Sequence, residues 1–239
     1  MTVGILGAGA FGTSLSIALS TPNKKLILWT QNHGTVKSIQ EVRENRLRLP
    51  GYILPEQITA TNDIAEIKDC SIILIAVPMQ QLRSLVEMHG SILKGKILVA
   101  CCKGFEVSSG LGPTAILEIA SEKTAVLTGP SFASDLASGF PTALTIASKI
   151  EGLAKYIQKE LGTEILRLYW SNDPIGAELG GALKNVIAIG CGVTVGAGYG
   201  SSSRAALMTR GYSEIVNIAP FFGAKPETLF GLSGLGDLS

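Results

Sequence analysis

What this sequence lacks narrows it quickly. Its 239 residues carry four cysteines, Cys70, Cys101, Cys102 and Cys191, and no CxxC pair. Two of the four are adjacent, so neither a disulfide framework nor a zinc site suits the spacing. Cys70, Cys101 and Cys102 flank or enter apolar runs, where a free thiol behaves as a small hydrophobe. A reducing, cytoplasmic compartment is the expectation. An excess of charge is missing too: 20 Lys and Arg face 19 Asp and Glu, a formal net of +1. That balance excludes a general nucleic-acid surface and an acidic tail. The most basic run, "VRENRLRLP" with Arg43, Arg46 and Arg48, reads as a solvated helix end closed by a proline. Repeats and low-complexity tracts are absent. "MTVGIL" enters a strand pattern directly, with no leader-like run before it.

One long apolar run is present, "LGGALKNVIAIGCGVTVGAG" from Leu179 to Gly198. About 20 apolar residues would span a bilayer. This run contains Lys184, Asn185 and six glycines, and no aromatic belt flanks it. It is expected to be a helix buried within a folded protein, with no membrane span. Why a lysine stands in it is the question the rest of the chain must answer.

The remaining pattern is strand alternating with helix. "TVGILGAGAFGTSLSIALS" holds a β-branched run, a glycine turn and an amphipathic segment with Phe11, Leu15 and Leu19 four apart. "KLILWT", "CSIILIAVP", "GKILVACC", "TAVLTGP" and "PTALTIAS" read as strands, and helices fit between most of them, such as Gln80 to Leu93 and Thr114 to Ser121. Unbroken apolar strands are buried on both faces, so the expected fold is α/β: a doubly wound, Rossmann-type sheet. After "EILRLYWSND" the texture becomes helical, with Leu207, Ile215 and Ile218 at helical spacing. The division expected is residues 1–173 as a dinucleotide-binding domain and 174–239 as an all-α, incomplete substrate domain.

Gly7, Gly9 and Gly12 form G-x-G-x-x-G between the first strand and first helix. The first permits a tight turn, the second lets backbone approach a pyrophosphate, and the third lets helix and strand pack closely. The helix N-terminus then offers free N–H groups to phosphate. At the end of the second strand, "WTQNH" places Gln31 where an acidic residue would mark NAD, and no arginine follows to hold a 2′-phosphate. His33 is a weak alternative contact. "CCKGFE" and "TGPSFASDLA" put Lys103, Gly129, Pro130 and Ser131 at the carboxyl edge of the sheet, with Ser131 also a plausible N-cap.

In order, "GAGAFGTSL", "AVPMQ", "KGFE", "GPSFASDLA", "GAELGGALKNVIAI", "MTRGYSEI" and "GLSGLGDL" resemble the cytoplasmic NAD(P)-dependent glycerol-3-phosphate dehydrogenases along the whole chain. The resemblance implies an enzyme interconverting glycerone phosphate and sn-glycerol 3-phosphate with NAD or NADP, feeding phospholipid synthesis. It implies Lys184 as catalytic residue, with Lys103, Gly129, Ser131, Asn185 and Asp237 at the substrate. Gly7, Gly9, Ala10, Phe11, Gly12, Gln31, Pro78, Lys103 and Ala133 fall to the cofactor. A homodimer is possible. The family commonly has arginine where Gln31 stands, and continues past "GLGDL" with an Arg-Asn pair for the substrate phosphate, so a C-terminally truncated chain is expected. The rivals are a two-domain dehydrogenase of the β-hydroxyacid or ketopantoate-reductase type, and a non-catalytic dinucleotide-binding module. Lys184, set in apolar helix, is expected to protonate the oxyanion that hydride delivery creates.

Overall fold

The computed structural model describes residues 1–238. Its centre is an eight-stranded sheet in the order β10-β9-β8-β7-β6-β1-β2-β5. The strands are β1 (Thr2–Leu6), β2 (Lys25–Trp29), β5 (Ile58–Thr61), β6 (Ile72–Ile75), β7 (Ile97–Ala100), β8 (Thr124–Thr128), β9 (Thr142–Ala147) and β10 (Leu166–Ser171). All neighbours pair in parallel except β8 with β9, which run antiparallel. Strands β6 and β8 are buried at every residue, which is why β6 reads as an unbroken apolar run and β8 as an apolar one between two threonines.

Helices cover both faces. Among them are α1 (Ala10–Leu19), α2 (His33–Val42), α3 (Leu82–Leu93), α4 (Pro113–Leu117), α5 (Ala133–Ala137) and α6 (Leu153–Leu161). One core holds Val3, Ile5, Leu15 and Leu19 on one side of the sheet; the other holds Leu6, Ile73, Leu82 and Leu98. The chain builds outward from β1 through β2 to β5, then returns to β6 on β1's other side. The reversal between β1 and β6 opens a crevice at the strands' carboxyl ends.

The "VRENRLRLP" run is not a solvated helix end. Arg43 takes a left-handed backbone (φ 56°), closing α2, and the chain folds into a hairpin of β3 (Glu44–Asn45) and β4 (Leu49–Ile53). The Arg43 guanidinium donates to the carbonyls of Leu54, at 3.2 Å, Pro55 and Ile58. Backbone acceptors 11 to 15 residues away hold that arginine, and a local charge pattern cannot show them.

From Pro174 the chain is helical: α7 (Pro174–Gly196), α8 (Ser201–Ile218), α9 (Pro226–Leu229) and a π-helical turn at Leu232–Gly236. Asp173 caps α7, accepting from the Gly176 N–H at 2.9 Å. Its second oxygen accepts from the Lys225 N–H and the Thr228 hydroxyl at 2.9 and 2.6 Å, tying α9 to the start of α7. The expectation of a buried helix over Leu179–Gly198 fails for most of that run, in which only Leu179, Gly180, Gly181 and Ile187 are buried. Pro174 to Gly181 are buried apart from Ile175, whereas Val186, Ile189 and Val193 are 70%, 67% and 64% exposed. By length and composition α7 is the one described helix apolar enough to cross a membrane, but its first turns pack on the sheet.

Candidate active site

Two of the three glycines of the first turn, Gly7 and Gly12, are required by backbone contacts. Gly7 has φ 109°, and a Cβ there would meet the Ala76 carbonyl oxygen at 2.6 Å. A Cβ at Gly12 would collide with the Gly7 carbonyl, while one at Gly9 would meet nothing and project into open space. That open space is the crevice, a cavity of about 1170 Å³. Its walls include Gly7, Gly9, Ala10, Phe11, Gln31, Pro78, Lys103 and Ser131. The volume, a lining drawn from the ends of five neighbouring strands and the bare Gly9 backbone fit a dinucleotide.

Among the described lining residues there is no carboxylate. The cations are Arg48, from the β3–β4 turn, and Lys103. Sequence order put no arginine after Gln31; the hairpin brings one back to the same wall. His33 turns away to Asn62, at 2.9 Å, and is not part of the lining. Ala133 opens α5 and lies outside the lining as well. Ser131 is not a cap: the residue before α5 is Phe132, and no side chain caps that helix.

At the far end, three side chains from distant segments meet. Asp237, whose side chain is 1% exposed, accepts from Lys184 Nζ on Oδ1 and from Lys103 Nζ on Oδ2, both at 2.5 Å. Lys103 also donates to the Gly129 carbonyl at 3.2 Å. Burial lowers the Lys103 pKa, partly offset by Asp237. Lys184 is therefore not an unpartnered ammonium in apolar helix; it faces a carboxylate. One carboxylate against two ammonium groups leaves one positive charge uncompensated, suited to a developing oxyanion. Asn185, next along α7, is exposed and outside this cluster.

The glycine pair in "LGGALKN" explains how the cluster assembles. A Cβ at Gly180 would collide with the Ser233 carbonyl, so its absence lets the π turn before Asp237 dock on α7. A Cβ at Gly181 would press on Thr128 Oγ1 at 3.0 Å and on the Lys103 stem at 3.5 Å. Two bonds brace the loop after Lys103: Gln80 donates to the Phe105 carbonyl at 2.8 Å and accepts from the Val107 N–H at 3.1 Å. Arg83 then grips Glu106 through two bonds of 2.8 Å, holding that carboxyl down at about 2. Glu178, buried on α7, accepts from the Thr114 N–H at 2.7 Å, and burial pushes its carboxyl up to about 7. Cys101 and Cys102 line the crevice, but burial pushes both thiols up, Cys102 to about 12, so neither is a nucleophile.

Sequence reading missed Asn45, Arg48, Asp173 and Glu178. For Asp173 an N-cap signal was present, Asp before Pro at the helix start. The other three act across 37 to 64 residues or through a turn, and no local pattern marks them.

A glycine-rich crevice at a sheet reversal, closed at one end by a lysine–carboxylate–lysine cluster on an added helical part, defines a two-part dinucleotide-dependent dehydrogenase. Residues 2–154 match the family described as NAD-dependent glycerol-3-phosphate dehydrogenase N-terminus, and residues 173–239 its C-terminus. The chain belongs to the NAD-dependent glycerol-3-phosphate dehydrogenases. It is 52% identical, over 241 residues, to the glycerol-3-phosphate dehydrogenase [NAD(P)+] of Ruegeria sp. (strain TM1040), covering 100% of this chain and 75% of that one. The solved glycerol-3-phosphate dehydrogenase of Coxiella burnetii superposes with a TM-score of 0.92 at 34% identity, covering 99% of this chain and 74% of that one. A ketopantoate reductase from Ralstonia eutropha, at 18% identity and TM-score 0.67 over 94% of this chain and 76% of that one, shares the fold alone.

Proposed function

We propose that this chain interconverts glycerone phosphate and sn-glycerol 3-phosphate with NAD(P)H, in the cytoplasm, supplying glycerol phosphate for phospholipids. The observation carrying this reading is the Lys103–Asp237–Lys184 cluster at the end of the dinucleotide crevice. Residues 1–173 hold the cofactor and residues 174–239 bring Lys184 and Asp237 to it. Bound in the crevice, the reduced nicotinamide supplies a hydride to the ketone carbon. Lys184 Nζ holds the proton that the resulting alkoxide takes, and in the reverse direction removes it from the C2 hydroxyl. Asp237 fixes the amine's position. Lys103, with Gly129 and Ser131 beside it, orients the triose and adds positive charge where oxygen becomes anionic.

The test is oxidation of NADH and NADPH by this chain with glycerone phosphate, beside ketopantoate and hydroxyacid-forming ketoacid controls. Turnover of glycerone phosphate, at least tenfold above the controls, supports the reading. Preference for ketopantoate or a ketoacid overturns the substrate; dinucleotide binding with no turnover overturns the chemistry.

A further inference from the structure

Asn45, fully buried, hydrogen-bonds the β3–β4 hairpin to the glycine turn. Asn45 Nδ2 donates to the Ala8 carbonyl at 2.9 Å and to Thr13 Oγ1 at 2.8 Å. Its Oδ1 accepts from the Arg48 N–H at 3.2 Å. Ala8 is the variable residue inside G-x-G, and its carbonyl belongs to the same planar peptide as the Gly9 N–H. In a trans peptide these two groups point in opposite directions. Whatever holds the carbonyl therefore aims the N–H. Among the described residues nothing accepts the Gly9 N–H, and a Cβ at Gly9 would enter open crevice.

We propose that Asn45 is a positioning residue for the cofactor: by holding the Ala8 carbonyl, it turns the Gly9 N–H toward the cofactor pyrophosphate. The same side chain shapes the turn that carries Arg48 to the crevice wall, so one amide orders a backbone donor and a cation on the phosphate side. Without the amide, the Ala8–Gly9 peptide is free to rotate, because φ and ψ at a glycine are weakly restrained. A donor that must be ordered upon binding costs affinity. This inference rests on the proposed use of a dinucleotide.

The test uses the 239-residue chain and three ligands: NADH, ADP, which keeps a pyrophosphate, and adenosine, which has none. Asn45→Ser can still accept from the Arg48 N–H but is too short to reach Ala8. Its dissociation constants for NADH and ADP should rise by about tenfold to a hundredfold, the worth of a hydrogen bond to a charged group. Adenosine affinity and kcat at saturating NADH should stay at wild-type values. Thr13→Val removes Asn45's other acceptor but spares the Ala8 bond, so it should lower Tm without changing either constant. If the serine variant does not fold, Asn45→Leu, similarly branched and without polar atoms, takes its place. Unchanged NADH and ADP affinities in the Asn45 variant overturn the inference, as does an equal loss in Thr13→Val or an equal loss for adenosine. Failure of the wild-type chain to bind NADH would instead overturn the proposed function.

Discussion

Gly180 on α7 lies directly against the Ser233 carbonyl, and this contact brings Asp237 within 2.5 Å of Lys184. Only a residue without Cβ permits it. Gly180→Ala should therefore push the π turn away and cost about 1–3 kcal/mol, as overpacking does. Activity should fall although no polar group is removed. Thermal melts and turnover check both effects; an alanine variant with wild-type kcat would show that the turn docks elsewhere.

The proton-transfer role is tested by Lys184→Met, which keeps length and removes the charge. Turnover should drop by about 10²–10⁴-fold, the usual loss when general acid–base catalysis is deleted. NADH binding should change little, since Lys184 is not among the crevice-lining residues. Asp237→Asn should be nearly as damaging, because it leaves two ammonium groups without their shared counter-charge. Steady-state kinetics with glycerone phosphate decide between these outcomes and a bystander lysine.

Cofactor choice should be weak. Gln31 offers neither a carboxylate for a ribose diol nor a cation for a 2′-phosphate, so NADH and NADPH efficiencies should agree within about tenfold, roughly 1.4 kcal/mol. Gln31→Asp should favour NADH. Arg48→Gln should weaken NADPH more than NADH, and the difference should shrink at high salt, as screened charges require. A native preference above about a hundredfold would move control of the choice to other residues.

Stability should respond to pH through two carboxyls of opposite behaviour. Glu106, held down at about 2 by Arg83, contributes stability that is complete above its ordinary value of 4.5 and is lost as pH falls toward 2. Glu178, pushed up to about 7 by burial, favours the folded state while protonated, so its contribution declines as pH rises from 4.5 to about 7. Glu178→Gln should flatten that decline and raise Tm at neutral pH. Melts of both proteins across this window would expose the slope, and parallel curves would refute it.

Val186, Ile189 and Val193 form an exposed apolar stripe along α7. A chain of these 239 residues should self-associate through it. Sedimentation velocity over a concentration series should show the association, and Ile189→Glu should abolish it.

Much of the sheet was legible because buried strands such as "IILI" and "TAVLT" are apolar or β-branched throughout, and the glycine turn has fixed spacing. The antiparallel β9 was not legible, since its apolar run looks the same in either direction. The hairpin was misread because Arg43's partners are carbonyls that only the fold supplies. Lys184 was legible as an anomaly in an apolar helix; its partner was named from the family's pattern rather than from local chemistry.

The sequence by itself determined the glycine crevice, the doubly wound order and the residues able to carry charge at its edge. Those depend on local backbone freedom and on the period of apolar residues, which neighbours in the chain settle. Tertiary structure alone decided that Asp237 lies between Lys103 and Lys184, residues 134 and 53 positions away. It also decided that Asn45 reaches Ala8 and that Arg48 returns to the wall beside Gln31. Hydrogen bonds and ion pairs act over a few ångströms whatever the distance along the chain, so only the packing of the whole fold selects which of the many possible partners meet.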